Sequence, residues 1–177
     1  ENLPHLYRSI GRAFSHTLAA WWCIFDPQVA CPPLPADWRH IVFWGVGPGH
    51  RGAVGYPQRN WAIDQIATGW IYFLDDDNLI HPNLEKSWRD AQLAFAGREW
   101  YIFRQVRADG SLYLAPHCPP RVGTIDIGQV IIRREALGAW RFEEHRYDAD
   151  GRLFEALAAV IPPACWDSEA TYYNALR

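Results

Sequence analysis

An apolar run that ends on three consecutive carboxylates constrains this chain more than any other feature. Trp70-Ile71-Tyr72-Phe73-Leu74 reads as a buried strand and delivers Asp75-Asp76-Asp77-Asn78 at its C-terminal end, where open α/β sheets place their ligands. Neighbouring carboxylates in a partly desolvated site repel one another strongly unless a cation compensates them. Hard oxygen donors at a strand end suit Mg²⁺ or Mn²⁺, which keep positions open for a substrate's phosphates. Pleat alternation sends Asp75 and Asp77 to one side of the strand and Asp76 to the other, so the first and third can share a ligand. The competing reading is a solvated acidic turn that caps the next helix; the apolar strand leading into the run favours a site.

The flanks read as alternating strands and helices. Leu3, Leu6, Ile10 and Phe14 recur at helical spacing behind Asn2 and Pro4, which predicts an amphipathic helix over 3–14. Trp21 to Phe25 is a short apolar run stopped by Asp26-Pro27, and Ile41 to Trp44 is a second one ending in Gly45. Asn60 to Ala67 returns to helical spacing before Gly69, and a further helix starts at Pro82-Asn83 with Leu84, Trp88, Ala91 and Phe95 on one face. This first half predicts a parallel, doubly wound sheet. The second half adds antiparallel strands: Trp100–Val106 and Ser111–Leu114 flank the turn pair Asp109-Gly110. Ile125–Ile132 reads as one more strand, Arg133–Leu137 as the start of a short helix, and Gly151–Val160 as a helix behind Asp148 and Asp150. The expected fold class is therefore α/β: one domain over 1–177 with a mixed, mainly parallel sheet flanked by helices, residues 1–98 forming one half and 99–177 the other.

Bulk properties exclude several partners. With 177 residues, 49% of them hydrophobic, the chain can bury a core without staples. A net charge of −3 and the absence of a basic block argue against nucleic acid. Cys23, Cys31, Cys118 and Cys165 lie far apart with no paired spacing, which predicts reduced core or loop thiols and no zinc site. No apolar run reaches the length of a membrane span, and the N-terminus lacks a signal-peptide layout. The expected setting is cytoplasmic, with peripheral attachment to the inner face of a membrane left open.

From Gly52 to Pro82 the sequence resembles the centre of GT-A glycosyltransferases, especially the inverting family 2 enzymes. An Asn-containing helix, here Arg59-Asn60-Trp61-Ala62-Ile63, precedes a Gly-x-x-x-x-Leu-Asp-x-Asp stretch, here Gly69 to Asp77. The triple-Asp-Asn form also resembles the glucuronyltransferase branch of that fold. The resemblance implies a nucleotide-sugar donor, UDP favoured, and a carbohydrate or lipid-linked acceptor. It implies that Asp75 or Asp76 faces the ribose, that Asp77, with Asp75, holds Mn²⁺ or Mg²⁺, and that Arg59 and Asn60 belong to the donor site.

The likeness extends both ways. Asn2 to Ile10 resembles the family's first helix and Trp21–Asp26 its second strand, which implies that Asp26 contacts the base; an Asp-Pro turn closing the strand is the alternative. Nothing in the sequence supplies the family's first strand. Ile125-Asp126-Ile127-Gly128-Gln129 followed by Ile131 to Glu135 resembles the segment beside the acceptor site, which places Asp126 among the donor-binding residues. Tyr147 to Leu153 stands where the family has its Glu-Asp motif, and Ala149 replaces the usual Glu. The resemblance implies that Asp150, or Asp148 in its place, is the catalytic base, while a helix N-cap is the other reading of Asp150. His81, His117 and His145 are candidates for a late metal ligand, none of them singled out. The mechanism expected is a single inverting displacement. The alternatives are a silent or truncated GT-A domain that binds a sugar or partner, and a metal-dependent nucleotidyltransferase, which the near absence of Lys disfavours.

Overall fold

The computed structural model describes residues 2–14, 20–25, 41–46 and 55–177. Asp26 lies outside the described residues, and so does Cys31.

Pro4 sits in the first turn of α1 (Leu3–Ala13), where its missing N–H costs nothing. Asn2 does not cap that helix with its side chain; its Nδ2 donates to the carbonyl of Asp76 at 2.9 Å and ties the helix to the acidic run. β1 (Ala20–Phe25) and β2 (Ile41–Val46) pair in parallel. α2 (Tyr56–Gln65) begins one turn earlier than apolar spacing suggests, because Gly55 takes φ +78° and Pro57 follows at the start. β3 (Trp70–Tyr72), β4 (Leu79–Ile80) and α3 (Leu84–Ala94) follow, then β5 (Trp100–Arg107) and β6 (Leu112–Leu114) around the expected turn. A single 3₁₀ turn (Ile127–Gln129) leads into β7 (Val130–Arg133) and α4 (Arg134–Leu137), and the chain ends in α5 (Ala149–Ala158) and β8 (Ala164–Tyr173).

The larger sheet has the order β3-β7-β5-β8-β4, with β6 on β5. β5 and β8 run parallel, while β3·β7, β5·β7, β4·β8 and β5·β6 are antiparallel. The architecture is the expected α/β one, a mixed sheet flanked by helices. Among the described pairings the antiparallel ones outnumber the parallel, and β4, which follows the acidic run, adds to them by pairing antiparallel with β8.

Strand alternation divides the core in two. Trp100 and Ile102 of β5 and Val130 and Ile132 of β7 face Ile63 of α2 and Leu153, Phe154 and Leu157 of α5. Tyr101 and Phe103 of β5 and Ile131 of β7 face Ile10 of α1 and Leu84 and Ala91 of α3. All of these side chains are buried, and Trp100 closes its remaining polar group by donating from Nε1 to the Ile161 carbonyl at 2.7 Å.

Two expectations are corrected here. The stretch Ile125–Ile132 is not one strand: Asp126 accepts from the N–H of Gly128 and Gln129 returns its side-chain oxygen to the N–H of Asp126, a capping box that starts the 3₁₀ turn instead. Cys118 and Cys165, expected as thiols, form a disulfide that joins the segment after β6 to the start of β8.

Candidate active site

β3 stops at Tyr72, and the acidic residues leave the sheet as a turn closed by the Asn78 N–H on the Asp75 carbonyl at 3.2 Å. The pleat therefore does not order the three carboxylates. Asp75 forms an ion pair with Arg59, one turn into α2. Asp76 is exposed. Asp77 is buried and pairs with Arg177, while its carbonyl accepts the N–H of Leu176 at 3.0 Å. Asn174 donates its N–H to Asn78 Oδ1 at 2.8 Å, so residues 174–177 lie along the acidic turn.

Arg59 gathers the other carboxylates. Its guanidinium lies over the Tyr56 ring, 5.1 Å from the centroid, and its charge acts on both Asp126 and Asp150. Burial holds the Asp126 carboxyl above its ordinary value, against the pull of the Gly128 N–H (2.9 Å) and Gln105 Nε2 (3.0 Å), with Asp75 adding to the rise. Burial likewise pushes Asp150 up to about 6, opposed by the Gly151 N–H at 2.7 Å and reinforced by Asp126. Asp150 therefore stands inside the first turn of α5 and is not its N-cap; Asp148 occupies the cap position. The arginines Arg146 and Arg152 hold Asp148 at about 2, chiefly through the hydrogen bond from Arg146, so it is charged throughout and a weak base. Asp75 thus pairs with Arg59, and Asp126 and Asp150 lie within reach of the same charge, whereas Asp77 and Asp148 pair with other arginines and Asp76 is exposed.

Asn60 is buried with its amide closed on the Phe142 backbone, donating to the carbonyl and accepting the N–H at 2.9 Å each. It fastens the segment before α5 to α2. That contact sets where Arg59 and Asp150 stand relative to each other.

Sequence reasoning passed over a second layer. Tyr56 donates to the Tyr147 carbonyl at 3.1 Å, and Tyr72 meets both Thr171 Oγ1 and the Gly128 carbonyl. Burial raises both phenols, so they remain protonated donors. The Gly directly after Asp126-Ile127 was the one readable signal of this layer. A Cβ at position 128 would lie 2.8 Å from Gln105 Nε2 and 3.2 Å from Asp126 Oδ1. Gly128→Ala is expected to destabilise the protein by about 1–3 kcal/mol and to displace the Asp126 carboxylate; urea denaturation checks the first, and an unchanged midpoint would show that Gln105 moves aside freely.

No three His, Cys, Asp or Glu side chains converge on one point among the described residues. Mg²⁺ or Mn²⁺ needs only one or two protein carboxylates when substrate phosphates and water complete its sphere. Asp77 suits that role in kind, since it already holds a cation, the Arg177 guanidinium, and Asp75 is the second donor the same turn offers. His81 and His117 instead serve loop backbone, at Asn83 N and the Pro119 carbonyl.

No family model matches the chain, and no curated protein does. Among solved structures it is similar to S. aureus TarS, a glycosyltransferase. The structure of TarS residues 1–349 superposes with a TM-score of 0.69 at 14% identity, covering 97% of this chain and 56% of that one. A second TarS structure gives 0.65 at 15% identity, covering 97% of this chain and 34% of that one. The chain thus has a glycosyltransferase-like fold and spans little more than half the length of the shorter TarS structure.

Proposed function

We propose that this chain is a GT-A-type glycosyltransferase domain that moves a sugar from a nucleoside-diphosphate donor, UDP favoured, to a hydroxyl of a carbohydrate or lipid-linked acceptor. The observation that carries the reading is the gathering of Asp75, Asp126 and Asp150 around Arg59 on a fold shared with a glycosyltransferase.

Asp150 acts as the base. A carboxylate near 6 is ionised at neutral pH yet more basic than an ordinary one, which suits removal of a proton from the acceptor hydroxyl. As the acceptor oxygen bonds to the anomeric carbon, the bond from that carbon to the diphosphate oxygen breaks, and the electron pair leaves with the diphosphate. Arg59 turns from Asp75 toward the departing phosphate oxygens. Asp126 accepts hydroxyls of the donor sugar, Asp75 or Asp76 the ribose hydroxyls, and Asp26 the base. Asp148 holds Arg146 and Arg152 and is the substitute base if the acceptor approaches from outside. Mn²⁺ or Mg²⁺ held by Asp77, with Asp75, supplies positive charge against the leaving diphosphate. The displacement inverts the anomeric carbon.

No helix among the described residues is long and apolar enough to cross a membrane, so a lipid-linked acceptor would be met at a membrane surface.

Calorimetric titration tests it: UDP, with GDP and CDP as controls, is added with Mn²⁺ and with chelator to the protein and to Asp77→Ala and Arg59→Ala. Metal-dependent UDP binding, lost in Asp77→Ala and weakened about tenfold or more in Arg59→Ala, a loss of roughly 1.4 kcal/mol, is the expected pattern. Folded protein that binds none of the three nucleotides would remove the donor site and with it the transferase reading.

A further inference from the structure

At the turn end of the β5–β6 hairpin lies a group of side chains that the reaction above does not use. Tyr113 of β6 and Tyr173 at the end of β8 stack face to face, with centroids 3.8 Å apart and planes 8° from parallel. The Arg107 guanidinium lies 5.2 Å from the Tyr113 centroid and donates from Nη1 to the Leu112 carbonyl at 3.0 Å, which fixes it to the hairpin. Tyr173 also lines an open surface cavity of about 350 Å³ together with Asn174 and the exposed residues Arg107, Ala108 and Asp109. Asp109 is fixed by the Ser111 N–H, which it accepts at 2.8 Å.

Two links join this cavity to the reaction centre. Tyr113 lies within electrostatic reach of Asp126 and of the Tyr147 phenol. Asn174, whose N–H is tied to Asn78 of the acidic turn, is the sole non-glycine residue at positive φ among the described residues, at +48°. Asn tolerates that conformation better than other side chains, and backbone held there is typical of ligand sites.

The lining chooses its ligand by chemistry. One ring face for C–H groups, with a carboxylate, an amide and a guanidinium around it, matches a polyhydroxylated ring: hydroxyls donate to Asp109 and accept from Arg107, and the Asn174 amide does either. An acyl chain would find too little apolar wall, and a polyphosphate would meet the Asp109 charge. The volume lies at the small end of ligand pockets, which run from roughly 300 to 1,000 Å³, and suits one sugar residue better than a long chain.

We infer that the cavity walled by Tyr173, Asp109, Arg107 and Asn174 is a saccharide-binding subsite that receives the acceptor, with the Tyr113–Tyr173 stack as its platform. This rests on the transferase reading for the word acceptor; the binding of a sugar there does not. An acceptor ring seated on Tyr173 extends toward Asp126 and Asp150, so the subsite sets which sugar is extended, separately from the donor pocket around Arg59.

The test is an amide-resolved NMR titration of the ¹⁵N-labelled protein with glucose and with N-acetylglucosamine, repeated on Tyr173→Ala and Asp109→Asn. Expected are shifts at the amides of Ala108, Asp109, Ser111 and Asn174 with at least one sugar. Binding should be about tenfold weaker in Tyr173→Ala, equal to ~1.4 kcal/mol, and weakened in Asp109→Asn, which keeps the shape of the site. UDP affinity, measured on the same samples, should not change in either variant, so a failed donor site and a failed acceptor subsite give different results. The inference is overturned if neither sugar shifts these amides, or if both variants bind the sugars as the parent does. Should Tyr173→Ala unfold, Asp109→Asn alone decides.

Discussion

Replacing Asp150 by Asn is expected to lower sugar transfer by about 10²- to 10⁴-fold and at the same time to make the protein more stable at neutral pH. Both effects have one cause. The fold holds the Asp150 carboxyl at about 6, against an ordinary 3.8, because burial disfavours its charge. A group raised in the folded state contributes stability that is complete below its unfolded value and is lost as pH climbs through the folded one. For Asp150 the loss falls between 3.8 and about 6 and amounts to ~3 kcal/mol. An Asn side chain carries no charge to desolvate and can still accept the Gly151 N–H. Thermal unfolding of the two proteins should therefore differ at pH 7–8 and converge toward pH 4. In the parent protein, the proposed transfer should rise about tenfold per pH unit below 6 and level off above it, as expected for a base that must be ionised. A variant that keeps its activity would move the base elsewhere, with Asp148 next in line; a variant that loses stability at pH 8 would contradict the burial argument itself.

The second large effect concerns the Cys118–Cys165 disulfide. It closes a separation of 47 residues, and restricting so long a loop in the unfolded chain is worth up to ~4 kcal/mol. Cys118→Ser isolates that contribution, because Cys118 is exposed while Cys165 packs against the core and stays in place. Chemical denaturation should show the variant less stable by about 2–4 kcal/mol, the oxidised parent falling to the same level on addition of a reductant, and no response of the variant to that reductant. Equal stability of all three would mean that the denatured chain is already restricted in this region. A bond of this kind persists in oxidising surroundings.

Apolar periodicity made α1, α3 and β5 legible, because each has one face on a core and the other toward a second layer or solvent. The turn at Asp109-Gly110 was legible from its chemistry, Gly110 taking φ +83°. β8 was not. Its Asp167, Ser168 and Glu169 interrupt any apolar alternation, and they are accommodated because Arg104 pairs with both acids and Ser168 meets Ser87. Such partners, on β5 and α3, come from segments more than 60 residues away, which no local pattern reveals. At the site, the carboxylates were legible as residue types and Asp150 as a candidate base, whereas their environment was not. That burial raises Asp150 while Arg146 and Arg152 lower Asp148 is written in no local pattern, and the pairing of Asp77 with Arg177 joins residues a hundred positions apart.

The position of β8 bears on how the chain is made. It follows the other described strands in sequence, yet it lies inside the sheet, between β5 and β4. During synthesis the edges of both neighbours stay open until residues 164–173 clear the ribosome, and open edges of apolar strands are where chains join wrongly. The acidic turn is held from the same side, through Asn174 and Leu176. Nascent chains stalled before β8 should therefore be the forms that chaperones hold and proteases remove, and the acidic turn should take its place only once β8 has paired.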